Sequence, residues 1–466
     1  MSYQLPGKNW IPLDDNDLID KISAIVAVMG NRLADSNHGQ RSAISGSAKS
    51  IHQPDSTPPD PGFELTVAHG YPGLAILFGE LRQSFAEAAT CQSWYDAAHD
   101  YLSKIQELVL VDGFGDLSPF GDLSLFCGVA GIGMAARSYS QDNELLSQAR
   151  EFLIKTLPKD ISYYFSKLGN VETQDYDTIY GLAGIGRYLL FFKDEPLFQP
   201  LLKKILEYLI QLTDDIPVDD YRVRVVLPGW YIAGGNISDH GEQATFPDGY
   251  FDLGVAHGIS GPLALLSISL LSGVEIQGQR AAIKKIADWL NRWPDEADQR
   301  WPCFVTPEEH FDGAAIKSVT RDAWCYGAPG VARVLWLAGC ALNDGDLKKK
   351  AIAAFDGLFA RPAATWMITA PTFCHGYAGL LCLTNLMYWD TGLERFARYR
   401  KMMIDKVLES FPLQAPFGSE NKDLPGPGMF QLDKAGLLEG TAGIALTLLS
   451  VIRPVKTDWT ALFLIS

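Results

Sequence analysis

Seven times along this 466-residue chain the same short pattern returns: one residue, Gly, two residues, Gly, then an apolar run. The copies are HGYPGLAIL from His69, CGVAGIGMA from Cys127, YGLAGIGRYL from Tyr180, HGISGPLALL from His257, YGAPGVARVL from Tyr326, HGYAGLLCL from His375 and EGTAGIALTLL from Glu439. Successive first glycines lie 49 to 77 residues apart, so the chain is one unit repeated with insertions of varying length. Such units bury their apolar faces only against one another, which makes 1–466 a single repeat-built domain rather than several independent ones.

The segments between copies carry one apolar face. Leu202, Ile205, Leu206 and Leu209 recur at helical spacing, as do Ile283, Ile286, Ala287 and Leu290. The segments after each GxxG, such as PLALLSISLL from Pro262, are apolar nearly all round, as helices buried on every side are. Counted from an amphipathic helix at Asp17 to Arg32, the pattern predicts an all-α fold, an α/α toroid of seven outer and seven inner helices. The glycines serve the close approach and sharp turn at the start of each inner helix. Two stretches interrupt the repeat. Residues 42–62 are rich in Ser, Pro and Gly and read as a mobile loop. Residues 216–254, between repeats three and four, carry β-branched and aromatic residues with turn signals and read as a small irregular or β-containing insertion, a candidate contact for a leader peptide or partner.

Charge and cysteine usage narrow the function. Lys plus Arg total 39 against 55 Asp plus Glu, a formal net charge of −16 with no basic cluster, so nucleic acid is not an expected partner. No apolar run reaches the roughly 18 residues that span a bilayer, and the N-terminus lacks a secretion signal, so the expectation is a cytoplasmic protein without membrane insertion. Seven scattered cysteines do not make a disulfide framework.

The residue before each first glycine falls at the start of an inner helix, all on one rim. Those positions hold His69, Cys127, Tyr180, His257, Tyr326, His375 and Glu439. Cys374 adjoins His375, and Cys325 holds the equivalent place one repeat earlier. By spacing alone these cysteines read either as core thiols or as metal ligands, since no CxxC signature is present. Two thiolates and an imidazole are ligands that Zn2+ prefers, and three protein ligands leave a fourth position open, as catalytic sites do.

The seven GxxG repeats, together with AHGISG, WCYGAPG and FCHGYAG, resemble the lanthionine synthetase C family of lanthipeptide cyclases over essentially the full chain. The resemblance implies Zn2+ bound by Cys325, Cys374 and His375, and a Michael addition of peptide cysteines to dehydroalanine or dehydrobutyrine that closes lanthionine and methyllanthionine thioether rings. It implies His257 as the catalytic acid or base and Asp177 beside it, with Asp175 close enough in sequence to compete for that assignment. It also implies Arg321 and Tyr326 near the metal; for Arg321 an ordinary ion pair is the competing role. The implied substrate is a dehydrated precursor peptide with its leader, and a separate dehydratase and a transporter are the implied partners. The resemblance leaves His69 and Cys127 as architecture. Cys91, Cys303, Cys340 and Cys382 read as core or surface thiols and Trp324 as packing.

Two other functions share these residues. One is a glutathione transferase acting on dehydroamino acids with the same zinc. The other is a peptide-binding scaffold without catalysis, which the retained ligand set argues against. A prenyltransferase-like ring would need a carboxylate ligand that has no counterpart here.

Overall fold

The computed structural model describes residues 6–7, 9–34, 61–87, 91–114, 123–219, 224–295, 298–314, 320–410 and 434–466. The expected loop at 42–62 lies, up to residue 60, outside the described residues. Fourteen helices carry the repeat among these residues. They are α1 (Asn16–Ala34), α2 (Tyr71–Ser84), α3 (Cys91–Asp112), α4 (Val129–Tyr139), α5 (Glu144–Ser166), α6 (Leu182–Leu189) and α7 (Gln199–Gln211), then α8 (Ser260–Leu271), α9 (Gln279–Leu290), α10 (Ala328–Leu342), α11 (Gly345–Ala360), α12 (Tyr377–Thr391), α13 (Glu394–Glu409) and α14 (Thr441–Ile452). Odd-numbered helices up to α7, then α9, α11 and α13, are amphipathic; the other seven each begin within a GxxG, after its first glycine, and are buried.

The two kinds differ as their sequences require. In α7 the buried positions include Leu202, Ile205, Leu206 and Leu209, and in α9 Ile283, Ile286, Ala287 and Leu290, one stripe in each case. In α8 every residue from Ser260 to Leu270 is buried. Each Leu or Ile so covered contributes about 1.5–3 kcal/mol. Hydroxyls in the buried helices bond back one turn, Ser267 to the Leu263 carbonyl at 2.7 Å and Thr384 to that of Leu380 at 2.7 Å.

The described residues fall into two compact units, one drawn from 1–6, 154–367 and 461–466 and the other from 7–153 and 368–460. In the first, buried helices α6, α8 and α10 pack in chain order, with α7, α9 and α11 against them. In the second, α12 packs on α14, α14 on α2 and α2 on α4, so the last repeat neighbours the first. Within each unit the turns before the buried helices are linked by single backbone hydrogen bonds. Thr178 N–H donates to Ala256 and Val255 N–H to Cys325 in the first unit. Cys374 N–H donates to Leu438, Leu438 N–H to Ala68 and Val67 N–H to Phe126 in the second.

The second glycine of the motif explains itself in this arrangement. At Gly73, Gly131, Gly330, Gly379 and Gly443 a Cβ would stand 2.0–2.3 Å from the carbonyl oxygen six residues earlier, inside contact distance. The first glycines need the same absence of a Cβ more than any special dihedral: Gly70, Gly181 and Gly376 have extended backbones, and only Gly327 has positive φ, at +87°.

The insertion before repeat four is partly β. Strands β1 (Asp215–Asp219) and β2 (Arg224–Pro228) form an antiparallel pair, and β3 (Phe251–Asp252) pairs with β4 (Phe304–Val305). One feature of the core has no sequence signature. The segment 461–466 runs buried through the first unit, where Arg187 of α6 donates to the Ser466 carbonyl (3.1 Å), Arg333 of α10 to that of Ile465 (2.8 Å) and the Trp324 indole to that of Phe463 (3.0 Å).

Candidate active site

Three residues before the rim residue, a side-chain oxygen closes the turn by accepting the rim residue's N–H. Thr66 does so for His69 (3.2 Å), Ser124 for Cys127 (3.1 Å) and Asp177 for Tyr180 (2.7 Å). A hydroxyl suffices for this. Asp177 has an oxygen to spare: Oδ1 accepts from the amides of Tyr180 and Gly181, while Oδ2 stands 2.7 Å from His257 Nδ1 in the next repeat. Asp177 is wholly buried, whereas the His257 side chain keeps 36% of its surface open. Burial opposes the charged imidazole, but the hydrogen bond and charge of Asp177, then the charges of Asp252 and Cys325, outweigh it and raise His257 above its ordinary pKa. The Tyr180 ring lies against His257, centroids 6.0 Å apart.

Asp175, the competitor in sequence, is engaged elsewhere: it accepts from Lys167 Nζ at 2.8 Å and from the Glu172 amide at 2.7 Å. The structure therefore gives His257 to Asp177.

A pocket of about 220 Å³ opens at His257. Asp177, Tyr180, Asp252 and Tyr326 line it, with Glu172 and Gln174 on one side and Asn236, Ser238, Glu242 and Tyr250 from the 216–254 insertion. The Tyr326 hydroxyl donates to Asp252 Oδ2 at 2.9 Å, and the Gly254 amide to Oδ1 at 2.7 Å. Burial pushes the Asp252 carboxyl up to about 7 against the lowering influence of His257, the Gly254 amide and the Tyr326 hydroxyl. Sequence reasoning missed Asp252. A signal existed, because it stands five residues before its rim residue, the register that Arg321 holds in repeat five.

Cys325 is buried next to Tyr326, its carbonyl tied to Val255. Arg321 does not line the pocket and makes no ion pair among the described residues. Its carbonyl lies beneath Gly327, and its charge acts on Cys303, whose thiol burial pushes up to about 12. The ion pairs at this turn belong to Asp322, whose carboxylate is 2.9 Å from Arg361.

In the second unit Cys374 and His375 stand before α12, half-buried. Glu439 Oε1 is 4.0 Å from His375 Nδ1, and Lys434 donates to Glu439 Oε2. Burial pushes the Glu439 carboxyl up, and Lys434 with the imidazoles of His69 and His375 more than reverses this, leaving it below the ordinary range. His69 stacks on Phe63 at 4.6 Å, has no hydrogen-bond partner at Nδ1, and is lowered to about 4 chiefly by burial.

Among the described residues no three His, Cys, Asp or Glu side chains are gathered into a group able to hold a metal ion. Cys325 belongs to the first unit and Cys374 and His375 to the second. The donor types nevertheless suit Zn2+: two thiols and an imidazole, each at the start of a buried helix. The Glu439 carboxylate facing His375 is the kind of outer partner that ligating histidines have.

The family model for lanthionine synthetase C-like proteins matches residues 62–464. The chain belongs to that family. Among its relatives is the nisin biosynthesis protein NisC of Lactococcus lactis subsp. lactis, 26% identical over 396 residues that cover 83% of this chain and 85% of NisC. The solved structure of nisin cyclase superposes with a TM-score of 0.73 at 22% identity, covering 97% of this chain and 98% of that one. The likeness fixes the fold class of this lanthionine synthetase C-like chain as the α/α toroid that the repeat predicts. No helix among its described residues is long and apolar enough to cross a membrane.

Proposed function

We propose that this chain is a zinc-dependent lanthipeptide cyclase: it adds cysteine thiols of a dehydrated precursor peptide to dehydroalanine or dehydrobutyrine within the same peptide. The observation that carries the reading is the His257–Asp177 pair, 2.7 Å apart on the wall of an open pocket, with Tyr326 on the same wall and Cys325 beside it in sequence. Membership of the lanthionine synthetase C-like family supplies the reaction class.

In this reaction a new S–Cβ bond forms, the π pair of Cα=Cβ moves onto the carbonyl as an enolate, and a proton returns to Cα. The net result moves one proton from sulfur to carbon, with no oxidation or reduction. Zinc held by Cys325, Cys374 and His375 would lower the pKa of the incoming thiol, which otherwise is near 8.5. With Nδ1 engaged by Asp177, Nε2 of His257 is the nitrogen left to take or give the proton. Its raised pKa extends upward the pH range over which the imidazolium can donate. Arg321 is the remaining family position; the resemblance implies a cation that offsets enolate charge there, while its side chain is not among the pocket's lining. The peptide is expected to bring its leader to the enzyme, with a dehydratase acting before it, a transporter after it and the cytoplasm as the place of reaction.

Two measurements test this. The wild type is expected to hold one equivalent of zinc, which Cys374→Ala loses; zinc retained at one equivalent by that variant breaks the proposed ligand set. Offered a dehydrated peptide with and without glutathione, the wild type is expected to close rings at unchanged mass and to block thiol alkylation. A product heavier by one glutathione would instead make it a transferase.

A further inference from the structure

One buried carboxylate on the pocket wall has no part in the mechanism so far. Asp252 is 2% exposed, and its two oxygens are divided between two tasks. Oδ1 accepts the Gly254 amide and closes the turn of its own repeat; Oδ2 accepts the Tyr326 hydroxyl of the next repeat. Asp177 is divided in the same way, Oδ1 on its own turn and Oδ2 on His257 of the next repeat. Backbone hydrogen bonds from Thr178 to Ala256 and from Val255 to Cys325 hold the neighbouring turns at the spacing both contacts need. Gly254 completes the seat, since a Cβ there would stand 2.6 Å from Tyr326 Cε1: the phenol ring lies against bare backbone.

We propose that Asp252 is a positioning residue that fixes the direction of the Tyr326 hydroxyl, as Asp177 fixes that of the His257 ring. With its hydrogen committed to Asp252, the phenol turns its lone pairs to the pocket. Toward the peptide Tyr326 then accepts a hydrogen bond, from a thiol or an amide N–H, and does not donate one. Proton delivery to the enolate is thereby left to His257. The inference rests on the cyclase reading, and it predicts that reversing the Asp252 contact reverses the role of Tyr326.

Asp252→Asn makes that reversal. The side-chain carbonyl keeps the Gly254 amide, and the NH2 group faces the phenol as a donor, sending the hydroxyl hydrogen into the pocket. The assay uses the full-length zinc-loaded enzyme at pH 8 with a synthetic peptide carrying one cysteine and one dehydroalanine. Asp252→Asn is expected to lower kcat on the order of 10- to 100-fold at unchanged KM, the scale of a misdirected group. In a Tyr326→Phe background the same change is expected to do nothing further. With tyrosine labelled at 13Cζ, the resonance lost in Tyr326→Phe is expected to shift in Asp252→Asn. A wild-type kcat in Asp252→Asn, an equal loss in the Tyr326→Phe background, or an unmoved 13Cζ resonance would each overturn the proposal. Should Asp252→Asn not fold, Tyr326→Phe alone must move the Asp252 13Cγ resonance, and an unmoved signal overturns the pairing. A wild type inert toward the peptide would break the cyclase reading, while the resonances still report on the pair.

Discussion

His69 and His257 occupy the same place in the same motif, AHGYPG and AHGISG, and end in opposite electrostatic states. His257 has a carboxylate at 2.7 Å and a raised pKa; His69 has no partner at Nδ1, stacks on Phe63 and is lowered to about 4. The cause lies in the neighbouring repeat, whose turn reaches across to each histidine. Repeat three presents Asp177 three residues before its rim residue. Repeat seven, which neighbours repeat one, presents Gly436 at that register. A Cβ on Gly436 would stand 2.5 Å from the Ala68 carbonyl oxygen and 2.6 Å from His69 Cα, so that turn has no space for a side chain. A histidine here becomes a proton-transfer candidate through what its neighbour offers, and its own motif does not distinguish the two cases.

The largest effect expected is on turnover. His257→Ala should lower the rate of ring closure on the order of 10²- to 10⁴-fold, the scale of general acid–base catalysis, while His69→Phe leaves it near wild type. Comparable losses in both variants would erase the difference between the two sites. Asp177→Ser separates the two tasks of that residue. Because Ser124 closes its turn with a hydroxyl, the serine variant should keep its thermal midpoint yet lose turnover on the order of 10²-fold. Asp177→Ala should lose a similar rate and about 1 kcal/mol of stability as well, read by denaturant unfolding.

Next in size is the crowding at Gly436. Gly436→Ala should destabilise by about 1–3 kcal/mol in a denaturant titration, since backbone must move to admit the methyl group. A neutral result would mean that the turn can yield and that repeat seven could have carried an acid.

The smallest effects are in pH dependence. If His257 acts as its imidazolium, turnover falls as pH rises through its raised pKa, and Asp177→Ser should move that fall to lower pH. An unmoved profile would mean that the proton comes from elsewhere. His69 behaves oppositely: its folded pKa of about 4 lies below the ordinary 6.5, so the unfolded chain binds more protons between these values. Stability is therefore lost as pH falls from 6.5 toward 4, and His69→Phe should flatten that part of the curve.

Much of this was legible in the chain itself. The GxxG copies gave the number of buried helices, and in five of them a Cβ at the second glycine would collide with the carbonyl six residues earlier. The stripes of α7 and α9 announced their buried faces for the same local reason, that helical periodicity is set within a few residues. Asp177, His257 and Tyr326 were within reach through family motifs. The contact of Asp252 with Tyr326, the buried course of 461–466 and the separate fates of Asp175 and Asp177 were not. Each of these depends on which side chain of one repeat meets which residue of another, across 74 residues for Asp252 and Tyr326 and 80 for Asp177 and His257. Sequence by itself determined the repeated helices and the residues available at their starts; the tertiary structure decided which of those residues face a charge, because side-chain contacts between repeats are set by packing, and no local pattern encodes them.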